Sequence, residues 1–148
     1  MKLLLDTNIL IDYYAQRRPF FEDAVRLRVA AMFGDVELWA ASASFADVEY
    51  VLRKAIPVKE LRPLMQRSLE FIRIVAPTAA DAEEALGSTW PDLEDFLIAR
   101  CAERIKADRI ITRDSNGFVG SSILAQSPSG FFAWLEEEQG IVYDEVAF

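Results

Sequence analysis

Residues 1–14 read MKLLLDTNILIDYY, and the junction at Asp6 decides how the rest of the chain is understood. Leu3, Leu4 and Leu5 follow one another without polar alternation, the pattern of a strand covered on both faces in a parallel sheet. The run stops at Asp6, and after Thr7 and Asn8 the apolar residues return with a helical period. A carboxylate at the end of a buried strand is costly unless something uses or holds it. Asp6 is therefore the first candidate site residue, against the plain alternative of an acid left at the surface by chance.

The same alternation continues along the chain. PFFEDAVRLRVAAMFG (19–34) reads as a helix with Pro19 at its start and Gly34 at its stop, followed by a strand, VELWA (36–40). SASFADVEYVLRKA (42–55) reads as a helix capped by Ser42 or Ser44, and Pro57 opens another helix in which Pro63 predicts a break or kink. IRIVA (72–76) is a third strand, and TAADAEEALG (78–87) a short helix capped by Thr78. WPDLED (90–95) is a loop running into the helix FLIARCAERIKA (96–107). DRIIT (108–112) is the fourth strand, RDSNGF (113–118) a turn, SILAQ (122–126) a weaker fifth strand, and PSGFFAWLEEE (128–138) the last helix. Strands separated by helices imply βαβ units, hence an α/β fold: a three-layer α/β/α sandwich around a parallel sheet of four to five strands. At 148 residues the expectation is one domain over 1–148, ordered up to the last few residues. No apolar run reaches the ~20 residues needed to span a bilayer, and no signal peptide is recognisable, so a cytoplasmic protein is expected.

Composition removes whole classes of chemistry. There is no histidine, which excludes Ser-His-Asp and Cys-His hydrolases and histidine-dependent nucleases. The one cysteine, Cys101, allows neither an internal disulfide nor a multi-cysteine zinc site, and its apolar neighbours predict a small buried hydrophobe. A net charge of −8 argues against coating nucleic acid through a broad basic face and leaves room for a carboxylate-rich site.

Ligands of open parallel sheets bind beyond the carboxyl ends of the strands. Asp6 ends the first strand, Asp114 lies just past the fourth, Asp47 falls early in the helix after the second, and Asp92 and Asp95 stand three apart where a loop becomes a helix. All these acids can meet at one sheet edge. Carboxylates ~4 Å apart repel by a few kcal/mol near a surface, and Mg²⁺ or Mn²⁺ relieves that repulsion through oxygen ligands while polarising water and phosphoryl oxygens. Phosphodiester hydrolysis is the natural reaction. Plainer roles stand beside these: Asp92 or Asp95 as a helix cap, Asp114 as the start of a turn with Asn116 and Gly117, and Asp47 as a solvated helix residue. Glu49, two positions beyond Asp47, should face elsewhere.

LLLDTNILID, ASASFADVEYVLRK, WPDLEDFLIARCAE and IITRDSNGF, in that order, resemble the PIN domain, the metal-dependent ribonuclease fold of VapC-type toxins. The resemblance covers nearly the whole chain, including the closing SPSGFFAWL. It implies that Asp6, Asp95 and Asp114 bind Mg²⁺ or Mn²⁺, with Asp47 standing where many members carry the longer Glu. Asp92 becomes an acid that supports the metal ligands from behind or binds a second metal, Asn8 and Thr112 hydrogen-bond partners of the carboxylates or of metal-bound water, and Thr7 a cap of the first helix. The implied activity is endonucleolytic hydrolysis of single-stranded or loop RNA, leaving a 3′-hydroxyl and a 5′-phosphate, with Asp95 orienting or deprotonating the attacking water. Arg17, Arg18, Arg53, Lys54 and Arg113 are the candidate RNA contacts. A homodimer and a cognate antitoxin are the implied partners, and the apolar faces bearing Tyr13, Tyr14, Phe20, Phe21, Val51 and Leu52 serve them or the core.

Other classes fit less well. A haloacid-dehalogenase-like phosphatase needs a second Asp where Asn8 stands, and a receiver-like domain needs an acidic pair and a late Lys that are missing here. A catalytically silent PIN fold acting as an RNA- or protein-binding module remains the alternative, and failure to bind Mn²⁺ would favour it.

Overall fold

The computed structural model describes residues 1–143; the expectation for the last few residues lies outside that range. Five parallel strands form one sheet in the order β3-β2-β1-β4-β5: β1 (Lys2–Leu5), β2 (Glu37–Ala41), β3 (Ile72–Val75), β4 (Arg109–Ile111) and β5 (Ala125–Gln126). Helices connect and follow them: α1 (Thr7–Tyr14), α2 (Phe21–Phe33), α3 (Ser42–Leu52), α4 (Val58–Ser68), α5 (Ala79–Gly87), α6 (Leu93–Arg104) and, after β5, α7 (Pro128–Gln139). This is the three-layer α/β/α sandwich expected from the sequence.

The leucine run of β1 explains the layering. Leu3 and Leu5 enter one apolar core with residues of α1, α2, α3, α4 and α7, whereas Leu4 enters a second core with Ile98, Ala99, Cys101 and Ala102 of α6. All three leucines are buried because β1 is central and covered on both faces. Cys101 is fully buried, as its neighbours predicted. Leu4→Ala should lower unfolding stability by about 3 kcal/mol, the cost of a large-to-small change at a fully buried site. Urea denaturation checks this, and a loss below about 1 kcal/mol would mean that the second core relaxes around the gap.

From β1 the chain builds outward through β2 to β3, then returns to the other side of β1 for β4 and β5. The order reverses between β1 and β4, and such a switch point opens a crevice at the carboxyl ends of the strands. Asp6 and Thr112 emerge side by side there, with the Asp6 N–H still donating to Ile111 O at 2.9 Å.

Local structure corrects four details. Asp6, not Thr7, caps α1: its carboxylate accepts from the Thr7 N–H because strand passes into helix with no intervening loop. Neither Ser42 nor Ser44 caps α3; the cap position is Ala41, and Ser44 is turned inward. α4 runs unbroken through Pro63, which sits on an exposed face where solvent can take the freed carbonyl. α6 begins at Leu93, three residues earlier than the hydrophobic period suggested, because Asp92 caps it. Thr78 caps α5 as expected, in a reciprocal capping box with Asp81.

Candidate active site

The crevice between β1 and β4 is organised around the buried Asp6. Its Oδ1 caps α1 by accepting from Thr7 N at 2.7 Å, while Oδ2 accepts from Thr112 Oγ1 at 2.7 Å and Asn8 Nδ2 at 3.2 Å. Thr112 Oγ1 in turn accepts from the Asp114 N–H at 3.0 Å, and Asn8 Oδ1 from the Arg113 N–H at 3.3 Å. The two polar residues expected to support the carboxylates, Asn8 and Thr112, thus tie the end of β1 to the loop carrying Asp114. Burial raises the Asp6 pKa; the hydrogen bonds from Thr112 and Thr7 oppose this, and the charges of Asp114 and Asp92 add to it.

α6 delivers the opposing acids. Asp92 accepts from the Asp95 N–H at 2.9 Å, so it is the helix cap and also holds the turn that presents Asp95. Asp95 is pushed up to about 7, first by burial and then by the charges of Asp6, Asp92, Glu94 and Asp114. No cation lies among these causes, and crowding of acids by acids is a mark of functional sites.

Glu94 was not anticipated. Thr7 Oγ1 donates to Glu94 Oε1 at 2.7 Å and also lies 2.9 Å from Ser44 Oγ, linking α1, α6 and α3. Burial raises the Glu94 pKa, the Thr7 hydrogen bond lowers it, and the charges of Asp47, Asp6 and Asp92 raise it again. Asp47, half-buried on α3, therefore belongs to the acidic group on the Glu94 side. Glu49 instead forms an exposed pair with Arg62 and takes no part.

Gly117 was also missed as a site residue. It lies in the 3₁₀ turn Ser115–Phe118, where a Cβ would overlap Asp95 Oδ2 and stand 3.2 Å from Asp95 Cγ and 3.8 Å from Asp114 Oδ2. The bare backbone lets Asp95 and Asp114 approach from different elements. Gly117→Ala should fold with little change in melting temperature yet lower Mn²⁺ affinity about tenfold, the size typical of disturbing the groups that orient metal ligands. Unchanged affinity would show that the turn gives way instead.

The basic candidates divide. α3 leaves the site edge at Ser42, so Arg53 and Lys54 lie beyond its far end, roughly 16 Å along the helix axis; Arg53 stacks on Tyr50. Arg18 pairs with Glu22. Arg17 lies close enough to Asp12 to favour its charged form, and Arg113 forms a bidentate pair with Asp12. Tyr14 and Leu52 are core residues, Tyr13 and Phe21 are partly covered, and Phe20 and Val51 are exposed.

Oxygen donors alone suit a hard divalent cation, and the unrelieved repulsion around Asp95 is what such an ion would neutralise. Among the described residues, however, no three acidic side chains are already drawn into an arrangement that could hold an ion. Asp6, Asp95 and Asp114 supply the right chemistry but would have to close further.

The fold and site define a parallel α/β protein with an acidic crevice at its switch point. A PIN-domain family model matches residues 2–116, and the chain belongs to that family, whose members are in general nucleases that depend on divalent metal. Solved structures with the same fold include VapBC2 from Rickettsia felis bound to a DNA fragment of its promoter (17% identity, TM-score 0.62, covering 86% of this chain and 98% of that one). A toxin-antitoxin complex from Klebsiella pneumoniae is similar (22%, 0.60, 85% and 97%), as is FitAcB from Neisseria gonorrhoeae (18%, 0.57, 86% and 98%). No curated protein sequence matches. Among the described residues no helix is long and apolar enough to cross a membrane.

Proposed function

We propose that this chain is a Mg²⁺- or Mn²⁺-dependent endoribonuclease acting on single-stranded or loop RNA in the cytoplasm, and that it is the toxin of a VapBC-type pair. The observation that carries this reading is the convergence of Asp6, Asp95 and Asp114, with Glu94, Asp92 and Asp47 around them, at the switch point of a PIN fold. Asp6, Asp95 and Asp114 would hold the ion, with Asp47 a further acid on the Glu94 side. When bound, a divalent cation supplies positive charge at the scissile phosphate and makes water more acidic. Asn8 and Thr112 orient the Asp6 carboxylate, and the Thr112 hydrogen bond opposes the upward pull of burial on its pKa. Asp95, whose carboxyl is pushed up to about 7 by burial and the neighbouring acids, orients or deprotonates the attacking water. In-line attack on phosphorus leaves a 3′-hydroxyl and a 5′-phosphate. A homodimer and an antitoxin are the proposed partners; the similar Klebsiella structure is itself a toxin-antitoxin complex.

The test is incubation of purified protein with labelled single-stranded and hairpin RNAs in Mg²⁺, Mn²⁺ or EDTA. Cleavage that EDTA abolishes is expected. The silent-module alternative draws on no three of these neighbouring acids being in an arrangement that could already hold an ion among the described residues; RNA binding without cleavage in any metal, together with no Mn²⁺ binding, would favour it.

A further inference from the structure

Asp12 is not among the acids proposed to hold the metal, yet it is the most deeply buried acid among the described residues, at 1% exposure. Its carboxylate takes Arg113 in a fork, Nε to Oδ2 at 2.6 Å and Nη2 to Oδ1 at 3.2 Å. The guanidinium carbon lies 4.3 Å from the centroid of the Phe20 ring, so the group is fixed by an acid at one edge and an aromatic on one face. Nη1 has no partner among the described residues, and about a third of the side chain is open to solvent. A cleft of about 260 Å³ opens there, lined by Phe20, Arg113, Asp12, Asp23, Ser127 and Ser129. Arg113 directly precedes Asp114, and its N–H is held by Asn8, so the cleft adjoins the acidic crevice.

A polyanion entering a site of clustered carboxylates needs a cation that does not collapse onto those acids. An unrestrained Arg beside Asp6, Asp95 and Asp114 would pair with them. Here the buried Asp12 takes the Nε–Nη2 edge of the guanidinium and leaves the edge that carries Nη1; Arg17 adds positive charge beside the pair, and Asp23 across the cleft is itself paired with Arg26. Planar, forked donors suit phosphate oxygens.

We propose that Arg113, held in place by Asp12 as a positioning residue, binds the backbone phosphate of RNA next to the scissile one, with the cleft beside Phe20 taking the attached nucleotide. This rests on the ribonuclease reading above and adds the subsite to it.

The sign of one substitution separates positioning from simple charge. Removing an acid should tighten binding of a polyanion if only net charge matters; if Asp12 positions Arg113, Asp12→Asn weakens it. The experiment measures anisotropy of a fluorescein-labelled mixed-sequence RNA oligonucleotide in EDTA over a range of salt, for wild type, Asp12→Asn, Arg113→Ala and Arg113→Lys. Melting curves run beside them, and wild-type cleavage in Mn²⁺ is followed separately. Arg113→Ala should weaken binding several-fold and reduce the salt slope by ~0.7, one single-strand phosphate contact. Asp12→Asn should weaken it in the same direction, and Arg113→Lys, which keeps the charge but not the fork, should recover only part. If Asp12→Asn does not fold, the Arg113 pair alone decides by the slope. Equal or tighter binding by Asp12→Asn, or an unchanged slope in Arg113→Ala while wild type still cleaves, overturns the subsite and leaves the nuclease standing. Wild type that neither binds nor cleaves RNA overturns both.

Discussion

Asp95→Asn and Asp6→Asn should each lower RNA cleavage by at least about 10²-fold, because disturbing even the groups behind a metal ligand costs 10–100-fold. Both changes are nearly isosteric, and Asn is as good a helix cap as Asp, so Asp6→Asn keeps the α1 cap while removing the charge. Loss of activity without a fall in melting temperature therefore reads on the chemistry and not on folding. Initial rates of cleavage in Mn²⁺ give the comparison. Either variant retaining more than about a tenth of wild-type rate would remove that residue from the ligand set.

The second large effect is on stability, and its sign is opposite to that of most mutations. Asp95 has an ordinary value near 3.8 in the unfolded chain and about 7 in the folded, metal-free protein. Between those values the folded state holds a proton that the unfolded state has released, so stability falls as pH rises from about 4 to 7. Asp6 and Glu94, also raised, act in the same direction. Because Asp95 is partly exposed, solvent screening reduces its contribution to about 1–2 kcal/mol. In EDTA at pH 8, Asp95→Asn should therefore melt above wild type while cleaving no RNA, and saturating Mn²⁺ should raise the wild-type melting temperature and flatten its pH dependence. A metal-free Asp95→Asn that melts below wild type would show that the carboxylate holds the fold together.

The fold was legible because the decisive strand carries no ambiguity: Leu3-Leu4-Leu5 fits only a position with apolar layers on both sides, and Asp6 marks where it surfaces. The helices were legible as far as their periods and their Pro, Gly and Thr boundaries. What the sequence did not show are contacts made across distant elements. Glu94 sits between Asp92 and Asp95, where helical spacing points it away from their shared face; the hydrogen bond from Thr7 of α1 ties it into the site, within reach of the Asp47 charge on α3. Gly117 reads as an ordinary turn glycine until Asp95 arrives from α6. Asp12 looks like one acid on an amphipathic helix, and only the return of β4 beside β1 places Arg113 on it. Local spacing also misplaced the caps of α1 and α3, where strand runs into helix directly.

Titration calorimetry of the metal-free protein with Mn²⁺ tests the central claim most directly, since it asks whether crowded acids at the switch point are a cation site without needing the RNA target. Binding by wild type that is lost in Asp95→Asn is the predicted result. No binding by wild type, or equal binding by both, would contradict it.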